Sequence, residues 1–159
     1  MYKITLLFVF VCFGAQIAGA QAVSVKGDVP KPVQYSAAQI SAMKHITLKA
    51  KGHDEKMHSY SGVLLFNVIK GSDVVQGKAL RGKNMAKFLL VKAADGYKAV
   101  FALPEIDPEF AEKTILLADQ VDGKPLSKET GPLQIIVPGE RKHARWVRQV
   151  QELEIRTAE

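Results

Sequence analysis

The densest chemistry in the chain lies in eight residues near its C-terminal end. Arg141, Lys142, His143, Arg145 and Arg148 place five basic or potentially basic side chains there. They follow Pro138-Gly139, whose backbone could turn amides toward an anion. A guanidinium is a planar fork that suits phosphate or carboxylate. Trp146, in the same run, could wall a flat ring. The opposed reading is a solvated basic entry into a strand, with Trp146 in the core. Tyr97 stands two residues past Asp95 at an Asp-Gly pair. It could face a pocket or pack a hairpin end, whereas turn chemistry alone accounts for Asp95.

Other clusters carry less. His45, His53 and His58 flank one expected hairpin, and imidazole with Asp54 or Glu55 could bind zinc or copper. No known ligand spacing is matched, so they read as turn histidines and no metal site is assigned. Lys78, Arg81 and Lys83 surround Gly77 and Gly82 without the spacing of a phosphate-binding loop. Glu105, Asp107 and Glu109 read as helix-start charge rather than an acid/base pair. Gly-x-Ser-x-Gly, His-Glu-x-x-His and a Cys/His pair are all absent from the sequence, and no catalytic residue is assigned.

The chain must position these groups with 159 residues, 47% hydrophobic and 24% charged. That composition fits one globular domain and excludes disordered, collagenous and coiled-coil chains. Lys3, the apolar run from Ile4 to Ala15, and the small residues Ala18, Gly19, Ala20 and Ala22 predict a signal peptide over 1–22. Cleavage after Ala20 or after Ala22 fits equally. The mature chain is then periplasmic or secreted, with no membrane attachment. Losing Lys3 lowers the 22 basic side chains to 21 against 16 acidic, a net +5. Cys12, the single cysteine, leaves as well. The positive charge would admit nucleic acid, but export argues against it.

Residues 23–35, with two prolines and no helical period, predict an extended arm. Ser36-Ala37-Ala38-Gln39 is a capping box for a short helix ending near Met43. Alternation over 45–51 predicts a half-buried strand, returning at 57–61 after a polar turn. Gly62 opens a buried helix over 63–69, stopped by Gly71. Strands follow at 87–94 and 97–103, joined by Asp95-Gly96. A helical turn within 104–112 precedes strands at 114–118 and 133–137, with Asp122-Gly123 marking a turn between them. The last strand runs over 146–155, where a phase switch between Val150 and Leu153 predicts a bulge or a change of sheet. The expected fold over 36–159 is α+β, a compact mixed-β domain of several small sheets and few short helices.

Five pieces recur in a set order: Tyr60-Ser61-Gly62-Val63-Leu64-Leu65, Ala94-Asp95-Gly96-Tyr97, Asp122-Gly123-Lys124-Pro125-Leu126, Gly131 through Pro138, and Arg145-Trp146-Val147-Arg148. Through them the sequence resembles the oxidoreductase molybdopterin-binding domain, the fold of sulfite oxidases and assimilatory nitrate reductases. It is most similar to the short, exported, single-domain members. The resemblance implies a pterin-type pocket, with molybdopterin or another pterin as cofactor. It also implies a molybdenum-ligating cysteine shortly before Tyr60. Here that stretch is Gly52-His53-Asp54-Glu55-Lys56-Met57-His58, with no thiol. The expectation is therefore a non-catalytic, exported binding module. Tyr97, Arg141, His143, Arg145, Trp146 and Arg148 would take a small anionic or pterin-like ligand, or a periplasmic partner protein. The alternatives are a molybdenum-pterin oxidoreductase with atypical ligation or a partner subunit, and an interaction domain without a pocket.

Overall fold

Val23 and Val25 alternate with Ser24 and Lys26, and this two-residue period decides where the chain's first described segment goes. In the computed structural model, which describes residues 23–159, both valines are fully buried. The expected signal segment lies outside the described residues. Strand β1 (Val23–Gly27) pairs parallel with the last strand, β10 (Val150–Thr157), and antiparallel with β2 (Val33–Tyr35). Residues 23–35 are thus extended, but they are part of a sheet rather than an arm leading into the fold. Without β1, β10 would present an unpaired edge and the core would lose two buried valines. Full burial of each valine contributes about 1.5–3 kcal/mol.

The first sheet runs β2-β1-β10-β5-β6, with β5 (Lys87–Ala93) and β6 (Lys98–Ala102) joined at Asp95-Gly96. The bulge expected in the last strand is present, as a register shift between Val150 and Glu152. Strand β10 itself begins at Val150, so Trp146 lies in the turn before it. The second sheet runs β3-β4-β7-β8, with β9 (Gln134–Ile136) also paired to β7 (Leu116–Val121). Strands β3 (His45–Lys51) and β4 (Met57–Leu64) form a hairpin. The two-residue β8 (Lys124–Pro125) closes the Asp122-Gly123 turn.

Helices are short. α1 (Ala37–Ala42) starts with the expected box: Gln39 N donates to Ser36 Oγ at 3.2 Å, and Ser36 N donates to Gln39 Oε1 at 2.8 Å. Strand β4 continues through Gly62, so α2 (Leu65–Lys70) starts two residues later than the sequence suggests. The reason is backbone proximity. A Cβ on Gly62 would lie 2.3 Å from the Leu117 carbonyl oxygen, so glycine serves there to let β4 cross close to β7 at a bulge. α3 (Leu103–Ile106) follows β6 directly. Inward residues of both sheets and α2 belong to one hydrophobic core, including Phe101, Leu117, Leu153 and Ile155. Among the described residues, no helix is long and apolar enough to cross a membrane. The fold is α+β, as expected.

Candidate functional site

Three turns meet at one end of the two sheets. The β5–β6 turn carries Asp95 and Tyr97, the β3–β4 turn carries His53, and a single 3-10 turn, His143–Arg145, leads into Trp146. The Tyr97 hydroxyl donates to the Ala144 carbonyl at 2.7 Å, tying the first of these turns to the third. Trp146 is 4% exposed, and its indole N–H donates to the Val137 carbonyl at 3.0 Å. Trp146 thus belongs to the core, and one side of it lines a cavity. That cavity, about 210 Å³, is lined by His53, Asp95, Tyr97, His143, Trp146 and Arg148.

The rings stack in sequence around it. His143 lies 4.2 Å from Trp146 between centroids, tilted by 49°, and meets the His53 ring edge-on at 4.6 Å. Burial, then the positive charge of Arg148, then His143, push the His53 pKa below its ordinary value and so favour the neutral ring. Arg148 is exposed and makes no ion pair or side-chain hydrogen bond among the described residues. It is a free fork at the edge of an aromatic cleft.

The basic run does not act as a unit. Arg145 turns away from the cleft and grips Glu105 bidentately, Nη2 to Oε1 at 2.7 Å and Nη1 to Oε2 at 3.0 Å. Its Nε also donates to Glu140 at 2.9 Å, and the guanidinium lies 4.5 Å above the Phe101 ring. Its expected role as a ligand residue is corrected to a structural one, because its donors are already spent. Arg141 is exposed and lines neither this cavity nor its neighbour. Tyr97, His143, Trp146 and Arg148 are the four expected site residues that come together. The acidic patch is also more than helix-start charge. Asp107 is 3% exposed and accepts from Gly77 N at 2.7 Å and Glu109 N at 2.9 Å.

Behind Trp146 a second chamber of about 320 Å³ shares His53, Trp146 and Arg148 with the first. Tyr60 stands edge-on to Trp146 at 5.4 Å. At the rim, His58 sits between two carboxylates. Its Nδ1 meets Asp122 Oδ2 at 2.6 Å and its Nε2 meets Asp54 Oδ1 at 3.0 Å. Both ring nitrogens donate only in the imidazolium. The hydrogen bond to Asp122, followed by that to Asp54, accordingly raises the His58 pKa. Asp122 occupies a left-handed turn position (φ 50°), and its other oxygen accepts from Ser59 N at 2.8 Å. This clamp joins the β3–β4 turn to the β7–β8 turn. The sequence reading missed Tyr60, Asp122 and Gln134 as cavity residues. Period-two spacing from His58 would have put Tyr60 on the same face of β4, but nothing local marks Gln134.

The donor set decides which group the site could hold. No thiolate exists in the described residues. Both nitrogens of His58 are engaged, and His53 lies beside a guanidinium that repels cations. Among the described residues, no cluster of three His, Cys, Asp or Glu side chains could hold a metal ion. A molybdenum centre does not fit these donors. A flat anion fits better: Trp146 and His143 supply ring faces, and Arg148 supplies a fork.

One mixed and one wholly antiparallel sheet with a few short helices give the fold of a sulfite oxidase-like domain. The chain belongs to the oxidoreductase molybdopterin binding domain family, whose sequence profile matches residues 16–159. Among solved structures it is similar to the sulfane dehydrogenase SoxCD from Paracoccus pantotrophus, with a TM-score of 0.67 at 19% identity. That match covers 86% of this chain and 38% of the SoxCD chain, and at this identity the likeness is one of fold. No curated protein matches the sequence.

Proposed function

We propose that the chain is a non-catalytic, exported binding module built on the molybdopterin-domain frame. Its ligand is a small flat anion, such as a pterin carrying phosphate. The ligand lies against Trp146 and His143, with its charge on Arg148. One observation carries the reading: among the described residues, an unpaired guanidinium edges a ring-lined cleft and no thiolate is present for the metal. The lowered His53 pKa supports it, since a neutral ring can donate or accept at the cleft wall without adding charge. The size of the cleft, about 210 Å³, suits one fused ring system rather than a large cofactor. The first 22 residues supply the address for export.

Native mass spectrometry with elemental analysis, on protein isolated from the periplasm of its own host, tests this. The expected result is a bound organic anion, no stoichiometric metal, and loss of the anion in Arg148→Ala. A stoichiometric molybdenum signal with a redox-active pterin would overturn it.

A further inference from the structure

The chamber behind Trp146 holds two polar groups that the anion cleft does not use. Gln134, the first residue of β9, is 4% exposed, and its carboxamide makes no hydrogen bond among the described residues. Tyr60 is 7% exposed, and its hydroxyl likewise has no partner among them. Both side chains line the same chamber of about 320 Å³. Among the described residues, neither has a polar atom that is both sealed from the surface and unpartnered. Their polar atoms therefore open onto the chamber. A buried amide left unpaired is costly, so a site that keeps one facing a cavity is suited to an occupant that pairs with it.

The surroundings define that occupant. At the rim, the carboxylates of Asp54 and Asp122 hold His58 between them and oppose an anion, while Arg148 opposes a cation. The chamber therefore favours no net charge. Its floor is apolar between the polar groups, with Val121 and Leu126. The perpendicular rings of Tyr60 and Trp146 form a corner that accepts a flat body. A glutamine carboxamide shows one donor and one acceptor side by side. The matching edge is another amide presenting the same two groups in reverse order. A hydroxyl, such as that of Tyr60, can complete the carbonyl's second lone pair.

We propose that this chamber is a second ligand site, for an uncharged planar carboxamide or lactam held by Gln134 and Tyr60. It does not depend on the anion reading, although His53, Trp146 and Arg148 line both cavities.

Benzamide and benzoate, matched in shape and differing in charge, test it on the mature chain by nuclear magnetic resonance titration, with 2-pyridone as a lactam probe. Benzamide and 2-pyridone are expected to shift the Gln134 side-chain amide and the Tyr60 ring in saturable fashion. Gln134→Met should weaken benzamide about tenfold, the loss of one or two neutral hydrogen bonds. Tyr60→Phe should weaken it severalfold. Benzoate should instead lose affinity in Arg148→Ala and be indifferent to Gln134→Met. The proposal is overturned if benzamide and 2-pyridone give no saturable shift at Gln134, which would mark a water-filled notch. It is equally overturned if their binding survives both Gln134→Met and Tyr60→Phe. Should Gln134→Met fail to fold, the wild-type shift map and Tyr60→Phe still decide it. Failure of benzoate alone would count against the anion cleft and leave this site standing.

Discussion

Replacing Arg145 with methionine keeps the aliphatic stem over Phe101 and removes the fork that holds Glu105 and Glu140. The magnitude follows from Glu105. Its hydrogen bonds to Arg145, against the opposing effect of burial and with help from Lys113 at 2.8 Å, lower its pKa from an ordinary 4.5 to about 2. That difference corresponds to roughly 3 kcal/mol of preference for the charged form. Solvent reaches both partners, whose side chains are 28% and 23% exposed, which trims the figure to about 2 kcal/mol. Lys113 remains to hold part of it. Arg145→Met should therefore cost about 1–2 kcal/mol at pH 7, or about 3–8 °C in Tm for a domain of this size. The folded pKa is the depressed one, so the stabilisation is complete above pH 4.5 and is lost as pH falls through about 2. Urea unfolding of both proteins across pH 7 to 2 should show a full gap above 4.5 that closes toward 2. Benzoate binding at the cleft should be unaffected. An unchanged stability at pH 7, or benzoate affinity lost with stability intact, would refute the structural role and return Arg145 to the ligand site.

Three further outcomes follow from the same geometry. Gly52→Ala would place a Cβ 2.9 Å from the His58 ring and 3.0 Å from Asp54 Oδ1; it should cost about 1–2 kcal/mol in urea unfolding and loosen the His58 clamp, and a neutral effect would contradict the packing. His58 should titrate above its ordinary 6.5 by ring nuclear magnetic resonance, and Asp122→Asn should bring its midpoint down. The sign is that of a raised group, so its contribution is complete below pH 6.5 and fades as pH rises through the higher folded value; a wild-type midpoint at or below 6.5 would remove the imidazolium from the clamp. Val25→Asp places a charge at a fully buried position between β2 and β10 and should prevent folding at 25 °C, a loss above about 4 kcal/mol; a cooperative native-like unfolding transition would show that residues 23–27 are dispensable.

Local patterns exposed most of the fold. The Ser36–Gln39 box, the 45–51 alternation, and the Asp95-Gly96 and Asp122-Gly123 turns are each set by chemistry within a few residues, and each appears as expected. The failures share a cause. Residues 23–35 pass for an arm because their strands are short and Pro30 and Pro32 interrupt them. Their partner, β10, lies some 127 positions away, as in the bond from Ser24 Oγ to the Gln151 carbonyl. Likewise, Val63 and Leu64 suit a buried helix or a buried strand equally. The close passage of Leu117 decides for strand, a fact about β7 rather than about the segment itself.

The site shows the same limit more sharply. The sequence marks a basic run but cannot divide it, because residue type is what it reports and direction is what matters. One 3-10 turn over His143–Arg145, followed by Trp146 anchored on Val137, splits that run. Arg145 leaves on the side of β6 and α3, where Glu105 and Glu140 consume its donors. Arg148, three residues on, emerges beside His53 at the cleft and meets no carboxylate. The same clustering of type therefore hides one structural arginine and one free one. Free donors, not basic density, define a place for a ligand. By that criterion Gln134, which no motif singles out, and Arg148 carry comparable weight: each presents polar atoms that the fold leaves unpaired.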